Sequence, residues 1–164
     1  MGRQGLGWLL VGVQVVMFVV LLLLPWRTPT WPLAVLGGLI ALAGMLVLLA
    51  AMRSLGRALT PTPVPIPGAG LRTSGIYRAV RHPIYSGLLL AVLGLLVALG
   101  SAASWIWGLV MLLFFWTKSR WEDRLLHEEY GQQWEAWART TGGLVPRLTG
   151  RGGHRGSGQS SSMP

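Results

Sequence analysis

The chain has 164 residues, a formal net charge of +9, 52% hydrophobic residues and only 12% charged ones. A soluble domain of this size carries about 25% charged residues to cover its surface, so half that fraction, with positive mean hydropathy, points to lipid as the solvent and to one membrane domain. The absence of cysteine excludes a disulfide framework, a thiolate nucleophile, Cys-ligated zinc, iron–sulfur or c-type haem sites, and a prenyl or palmitoyl anchor.

Trp8 to Leu24 is apolar apart from Gln14, and Trp31 to Met52 is apolar without a charge. At about 1.5 Å per residue, each is long enough, or nearly so, to cross a hydrocarbon core of about 30 Å. Arg3 ahead of the first run resembles the start of a secretion signal, but Leu24, Pro25, Trp26 and Arg27 hold no small-residue cleavage pattern, so the run reads as a retained span. Ile84 to Leu99 and Ala102 to Trp116 are shorter and meet at Gly100-Ser101-Ala102-Ala103-Ser104. That small-residue turn predicts a tight helical hairpin, and Gly87 and Gly94 permit close helix approach.

Between the second and third spans, Pro61, Pro63, Pro65 and Pro67 alternate along an extended, polyproline-like stretch before Gly68-Ala69-Gly70. After the fourth span, Lys118 to Thr140 reads as a helix broken near Gly131, with Trp116, Trp121, Trp134 and Trp137 placed for the headgroup level. All five acidic residues, Glu122, Asp123, Glu128, Glu129 and Glu135, fall in this segment. From Thr149 to Pro164 the Gly, Ser and Arg composition predicts a disordered tail, which leaves residues 1–148 as the domain. The expected fold is an all-α integral membrane protein of about four transmembrane helices with a C-terminal cytoplasmic helical segment.

Arg3, then Arg53, Arg57, Arg72, Arg78 and Arg81, then Lys118, Arg120 and Arg124 fall on one side of the four spans, against Arg27 alone on the other. Both termini are therefore expected in the cytoplasm. The basic residues flank apolar runs instead of building one solvated face, which suits membrane lipids and phosphate or carboxylate partners and argues against nucleic acid. Neither the oligomeric state nor an internal repeat is legible.

The densest polar cluster is Gly75-Ile76-Tyr77-Arg78-Ala79-Val80-Arg81-His82-Pro83-Ile84-Tyr85-Ser86-Gly87, which runs straight into the third span. Pro83 suits the first turn of that helix, whose free N–H groups beside Arg81 and His82 make an anion site. The same residues also read as a snorkelling basic collar with a capping His and two interfacial tyrosines. If the third and fourth spans form a hairpin, His82 at its start and Glu122 at its end meet at one aqueous mouth. The plainer alternative is a surface charge pair worth about 0–1 kcal/mol. His127 with Glu128 and Glu129 lacks metal-ligand spacing and reads as solvated helix surface; His154 lies in the tail and reads as inert. Gln14 reads as an interhelical hydrogen-bond donor. Gly68-Ala69-Gly70 does not continue as G-x-G-x-x-G, which excludes a Rossmann-type cofactor site, and no metal is expected.

These clusters resemble the isoprenylcysteine carboxyl methyltransferases and their bacterial relatives from Leu59 to Leu148. Leu71-Arg72-Thr73-Ser74-Gly75-Ile76-Tyr77 is similar to the family's L-x-T-x-G-P-Y, and Arg81-His82-Pro83-Ile84-Tyr85-Ser86-Gly87 to R-H-P-x-Y-x-G; Glu122-Asp123 follows, with Gly131, Trp134 and Trp137. Ile76 stands for a common Pro, Asp123 for a second Glu, and Trp134 and Trp137 for Tyr. The resemblance implies a small helical membrane enzyme that holds S-adenosyl-L-methionine between its last hairpin and the C-terminal segment and takes a lipid-soluble methyl acceptor laterally from the bilayer. Carried over by resemblance, His82, Pro83, Tyr85 and Gly87 line the cofactor site and Leu71 and Tyr77 border it. Glu122, weighted above Asp123, holds the ribose or amino group. Arg81 is the catalytic residue, facing an acceptor carboxylate.

The cofactor's sulfonium, carboxylate and ammonium call for an anion-binding helix terminus, a carboxylate and aromatic faces, all of which this cluster offers. A carboxylate acceptor is already ionised and needs only orientation, as by Arg81, whereas a phospholipid amine must lose a proton to a base such as His82. O-methylation of a lipid-embedded carboxylate is the leading expectation and phospholipid N-methylation its alternative. An NADPH-dependent reductase of the sterol-reductase type, whose related core carries Asn and Glu where this chain has Ile84 and Leu88, is disfavoured. A non-catalytic scaffold is disfavoured by the joint retention of Arg81, His82, Tyr85 and Glu122.

Overall fold

The computed structural model describes residues 2–56, 62, 64 and 70–147. Most of the alternating-proline stretch, Arg57, His154 and the whole of the expected tail lie outside the described residues. Five helices follow in order: α1 (Arg3–Leu23), α2 (Trp31–Leu55), α3 (Pro83–Leu99), α4 (Ala102–Tyr130) and α5 (Gln132–Thr140), with a short 3-10 turn at Gly75–Arg78 before α3. Proline in the first turn starts α2 and α3, and a reciprocal Ser101/Ser104 capping box starts α4. α1, α2 and α4 are long and apolar enough to cross a membrane, and α3 is a shorter apolar helix of 17 residues. The protein is an all-α, multi-pass membrane protein.

Two contacts establish the up-and-down course of the bundle. At one end the connection after α1 meets the connection after α3, where Arg27 N–H donates to the Leu99 carbonyl at 2.8 Å. At the opposite end Arg3, opening α1, pairs with Glu128 near the end of α4 at 2.7 Å. The bundle core between them is Met17, Leu21, Tyr85, Val92, Leu96, Met111 and Phe115. Large apolar side chains such as Leu22, Leu39 and Ile106 remain outside it, which in lipid is their stable position.

Three expectations need correction. The closest helix pair is α2 with α3, not α3 with α4. Gly37 and Gly44 of α2 lie against Gly94 and Gly87 of α3; a Cβ at Gly37 would come within 2.4 Å of the Gly94 carbonyl oxygen, and one at Gly44 within 2.7 Å of that of Gly87. Lipid tails are as apolar as leucine, so close backbone packing between small residues is what joins these helices. α4 packs on α3 less closely, with Met111 and Phe115 in one core with Val92 and Leu96, while Trp105, Leu109, Leu112 and Trp116 line an open cleft between the two helices. The second correction is that the fourth span does not stop at Trp116. α4 continues through Lys118 for 29 residues, roughly 44 Å, and ends where Gly131 takes φ 49°, the conformation that breaks it from α5. The third is that Gln14 accepts a hydrogen bond instead of donating one: Lys118 Nζ donates to its Oε1 at 2.6 Å.

Candidate functional site

The site is assembled at the Arg-rich end of the bundle. Gly75 opens the turn that delivers it with φ 62°, and a Cβ there would meet Ser54 Oγ at 2.5 Å, so glycine is what lets the turn rest on the end of α2. The chain then runs extended beside the segment after α5: Gly142 N–H donates to the Ala79 carbonyl, and the N–H groups of Arg81 and His82 donate to Gly142 and Gly143. His82 is the last residue before α3, and Pro83 is buried in its first turn.

Asp123 of α4 is the electrostatic centre. Its Oδ1 accepts from Arg81 Nε at 3.2 Å and lies 3.0 Å from His82 Nε2, while its Oδ2 accepts from Arg81 Nη2 at 3.1 Å. Arg81 Nη1 donates to the carbonyls of Ala138 and Thr141, satisfying acceptors that the end of α5 leaves open. The indole of Trp134 lies under the guanidinium at 5.7 Å, and Trp137 Nε1 donates to the Tyr77 carbonyl at 3.0 Å. Arg81 thus ties together α4, α5 and the segment leading into α3.

The face toward α1 carries the second carboxylate. Tyr85 O–H donates to Glu122 Oε2 at 2.8 Å, and the same oxygen lies 3.6 Å from His82 Nδ1. The His82 and Tyr85 rings stack with centroids 5.7 Å apart, and Tyr85 packs on Phe115. His82 is 4% exposed. Burial alone would favour the neutral imidazole, but the hydrogen bonds and charges of Asp123 and Glu122 outweigh it and raise the pKa to about 9. Burial, then the nearby Glu122 charge, pushes the Tyr77 phenol well above its ordinary value.

The raised His82 pKa gives a first prediction. The unfolded imidazole titrates near 6.5, so the stabilisation from its charged form is complete below about pH 6.5 and is lost as pH rises through about 9. A tenfold difference in proton affinity between the folded and unfolded chain is worth about 1.4 kcal/mol, so unfolding free energy in nanodiscs is expected to fall by a few kcal/mol across that window. His82→Gln is expected to flatten the decline. A wild-type profile no steeper than that of the variant would remove His82 as its source.

Of the residues expected at the site, Arg81, His82, Tyr85 and Glu122 come together, with Tyr77 buried beside Glu122 and Pro83 beneath. Gly87 packs against α2, the close helix approach expected of it, since its missing side chain admits Gly44 and Leu48. Leu71 is partly buried ahead of the 3-10 turn, and among the described residues no hydrogen bond links it to His82 or Glu122. Sequence reasoning undervalues Asp123 and does not single out Lys118. The signal for Lys118 is present: the only lysine, at the end of the apolar run that closes at Trp116 and four residues before Glu122.

On the other side of Asp123, an apolar cavity of about 1,050 Å³ opens between α3 and α4. Leu89, Leu93, Leu109 and Leu112 form its walls, and Arg81, Arg120 and Asp123 its polar end. Leu93, Leu109 and Leu112 are themselves exposed on the outside of the bundle, so the cavity is open toward lipid.

A family model described as phospholipid methyltransferase matches residues 33–133, well over half of the chain. The chain belongs to the phospholipid methyltransferase family. The match begins within α2 and ends just after Gly131, so it contains the paired glycines of α2 and α3 as well as Arg81, His82, Tyr85, Glu122 and Asp123. A rice (Oryza sativa subsp. indica) protein named probable protein-S-isoprenylcysteine O-methyltransferase is 34% identical over 77 residues, which cover 46% of this chain and 40% of that one. Protein-S-isoprenylcysteine O-methyltransferase A of Arabidopsis thaliana is 28% identical over 130 residues, 77% of this chain and 66% of the relative. The chain thus spans between two-fifths and two-thirds of the length of these relatives.

Proposed function

We propose that the protein is an S-adenosyl-L-methionine-dependent membrane methyltransferase whose acceptor is a lipid-embedded carboxylate. The observation that carries the choice of acceptor is that both ring nitrogens of His82 face carboxylates, Nε2 at 3.0 Å from Asp123 and Nδ1 at 3.6 Å from Glu122, an arrangement that favours the imidazolium. An amine would have to give up a proton, and this imidazole already holds one at neutral pH. A carboxylate attacks with an electron pair it already has and releases no proton. The names of the plant relatives support the same class.

The donor set fits the cofactor: a carboxylate at Glu122, the stacked ring of Tyr85 and a second buried phenol at Tyr77 stand together at the start of α3. S-adenosyl-L-methionine, when bound, supplies a methyl group already activated on a sulfonium. The chain's own work is then to hold the reactants and exclude water. Glu122 is assigned to the ribose or amino group, with His82, Tyr77 and Tyr85 as the walls. Arg81 has its Nε and both Nη atoms engaged by Asp123, Ala138 and Thr141, so we assign it to closing the C-terminal segment over the site rather than to clamping the acceptor. The cavity between α3 and α4 suits the acceptor's apolar chain, with exposed Arg120 at the charged end. The excess of Arg at this end supports a cytoplasmic position for it and for both termini.

The test is methyl transfer from labelled S-adenosyl-L-methionine, in nanodiscs, to an S-prenylated cysteine and to phosphatidylethanolamine. Label is expected on the carboxyl group, recovered as methanol after mild alkali. Alkali-stable label on the headgroup amine would reverse the choice of acceptor, and label on neither would reject both acceptors.

A further inference from the structure

We propose that Lys118 recognises the carboxylate of the adenosyl amino acid, with Glu122, one helical turn further along α4, taking its ammonium; this rests on the reading that the site holds S-adenosyl-L-methionine. Lys118 is 3% exposed within the bundle, where a charge is costly unless something answers it. Its one hydrogen-bond partner among the described residues is the neutral amide oxygen of Gln14, at 2.6 Å. Its Nζ also lies over the rings of Tyr85, at 5.2 Å, and Phe114, at 5.9 Å. No carboxylate among the described residues lies within ion-pair distance of it. An ammonium can donate three hydrogen bonds, so this cation is set in place by Gln14 with donors to spare.

Arg81, another cation at the site, is in the opposite condition, bonded to Asp123 and to two backbone carbonyls. Lys118 also lies on the correct side. It faces α1 and Tyr85, whereas Ser119, Arg120 and Asp123 of the same helix line the lipid-facing cavity. A lysine and a glutamate at i and i+4 present opposite charges one helical turn apart on one face, the complement of an amino acid's carboxylate and ammonium. Tyr85 touches both members, its ring under Lys118 and its hydroxyl on Glu122.

The test is calorimetric binding to the full chain in nanodiscs of S-adenosylhomocysteine and of its decarboxylated analogue, which keeps the ammonium and lacks only the carboxylate. Wild type is expected to prefer S-adenosylhomocysteine by about ten- to a hundred-fold, as for loss of one charge-assisted hydrogen bond. Lys118→Gln, which keeps a polar hydrogen-bond donor but removes the charge, is expected to bind the two nearly equally, and Lys118→Arg to keep most of the preference. Undiminished preference in Lys118→Gln overturns the assignment, as does wild type without a preference, which decides the matter even if the Gln variant does not fold. Binding of neither ligand by wild type would reject the cofactor reading itself.

Discussion

Asp123→Asn is expected to destabilise the protein by about 3–5 kcal/mol and to reduce methyl transfer by a hundred-fold or more. The carboxylate accepts two hydrogen bonds from Arg81 and stands against His82, with its side chain 11% exposed and those of Arg81 and His82 13% and 2%. Removing one member of a buried charged group leaves its partners uncompensated, which costs more than the intact pair is worth. Asparagine has one acceptor oxygen where Asp123 uses two, and its NH2 would face the donors of Arg81 or His82. The loss propagates through Arg81, whose hold on Ala138 and Thr141 keeps the 142–143 backbone paired with residues 79–82. Misplacing a binding group by about 1 Å can cost a hundred-fold in rate, so the catalytic loss follows without Asp123 touching either reactant. Glu122→Gln is the control. It keeps an acceptor for Tyr85 O–H and leaves Arg81 paired, so it is expected to weaken ligand binding at about 1–2 kcal/mol of stability. Thermal and denaturant unfolding in nanodiscs reads both variants. Equal small losses would mean that Asp123 is a peripheral pair.

The contrast between these two carboxylates shows where the sequence is legible. Arg81, His82, Tyr85 and Glu122 lie in compact motifs flanking apolar runs, and bundle topology alone brings the start of α3 to the Arg-rich half of α4. Motif resemblance ranks Asp123 second because Asp replaces the second Glu, yet its shorter side chain reaches both Arg81 and His82. That reach depends on the path from Tyr77 to His82, which is fixed by Gly75, the Trp137 bond and the 142–143 backbone, none of which sequence periodicity reports. Arg81 reads from sequence as a substrate clamp for the same reason: its backbone acceptors at Ala138 and Thr141 belong to no side-chain pattern. The spans are readable from length and hydropathy, but the extension of α4 past Trp116 is not, because the stretch from Lys118 to Tyr130 is polar enough to suggest a separate element.

Helix pairing is the least legible feature, and it carries the second large effect. Gly37→Val and Gly94→Val are each expected to prevent accumulation of folded protein, whereas Gly38→Val, next along α2, is expected to be silent. Gly38 has nothing within 4 Å of an added Cβ. At Gly94 a Cβ would lie 2.4 Å from Ala41 N and 2.5 Å from the Gly37 carbonyl oxygen, and at Gly37 it would meet backbone atoms of α3 at 2.4 and 2.7 Å. These obstacles are main chain in two regular helices, so they cannot rotate aside as a side-chain end can. Overpacking a core costs about 1–3 kcal/mol where side chains can adjust, and here relief requires moving α2 from α3 along its length, which also forfeits the close packing that joins the helices. The same movement would carry Ser54 away from the turn at Gly75, so any surviving Gly94→Val protein is expected to lose ligand affinity although Gly94 lies far along α3 from His82. Yield of monodisperse protein in detergent and the unfolding midpoint in nanodiscs separate the three variants. A folded Gly37→Val with the wild-type midpoint would show that the two helices can move apart without loss, and the glycine contacts would then not be what joins them.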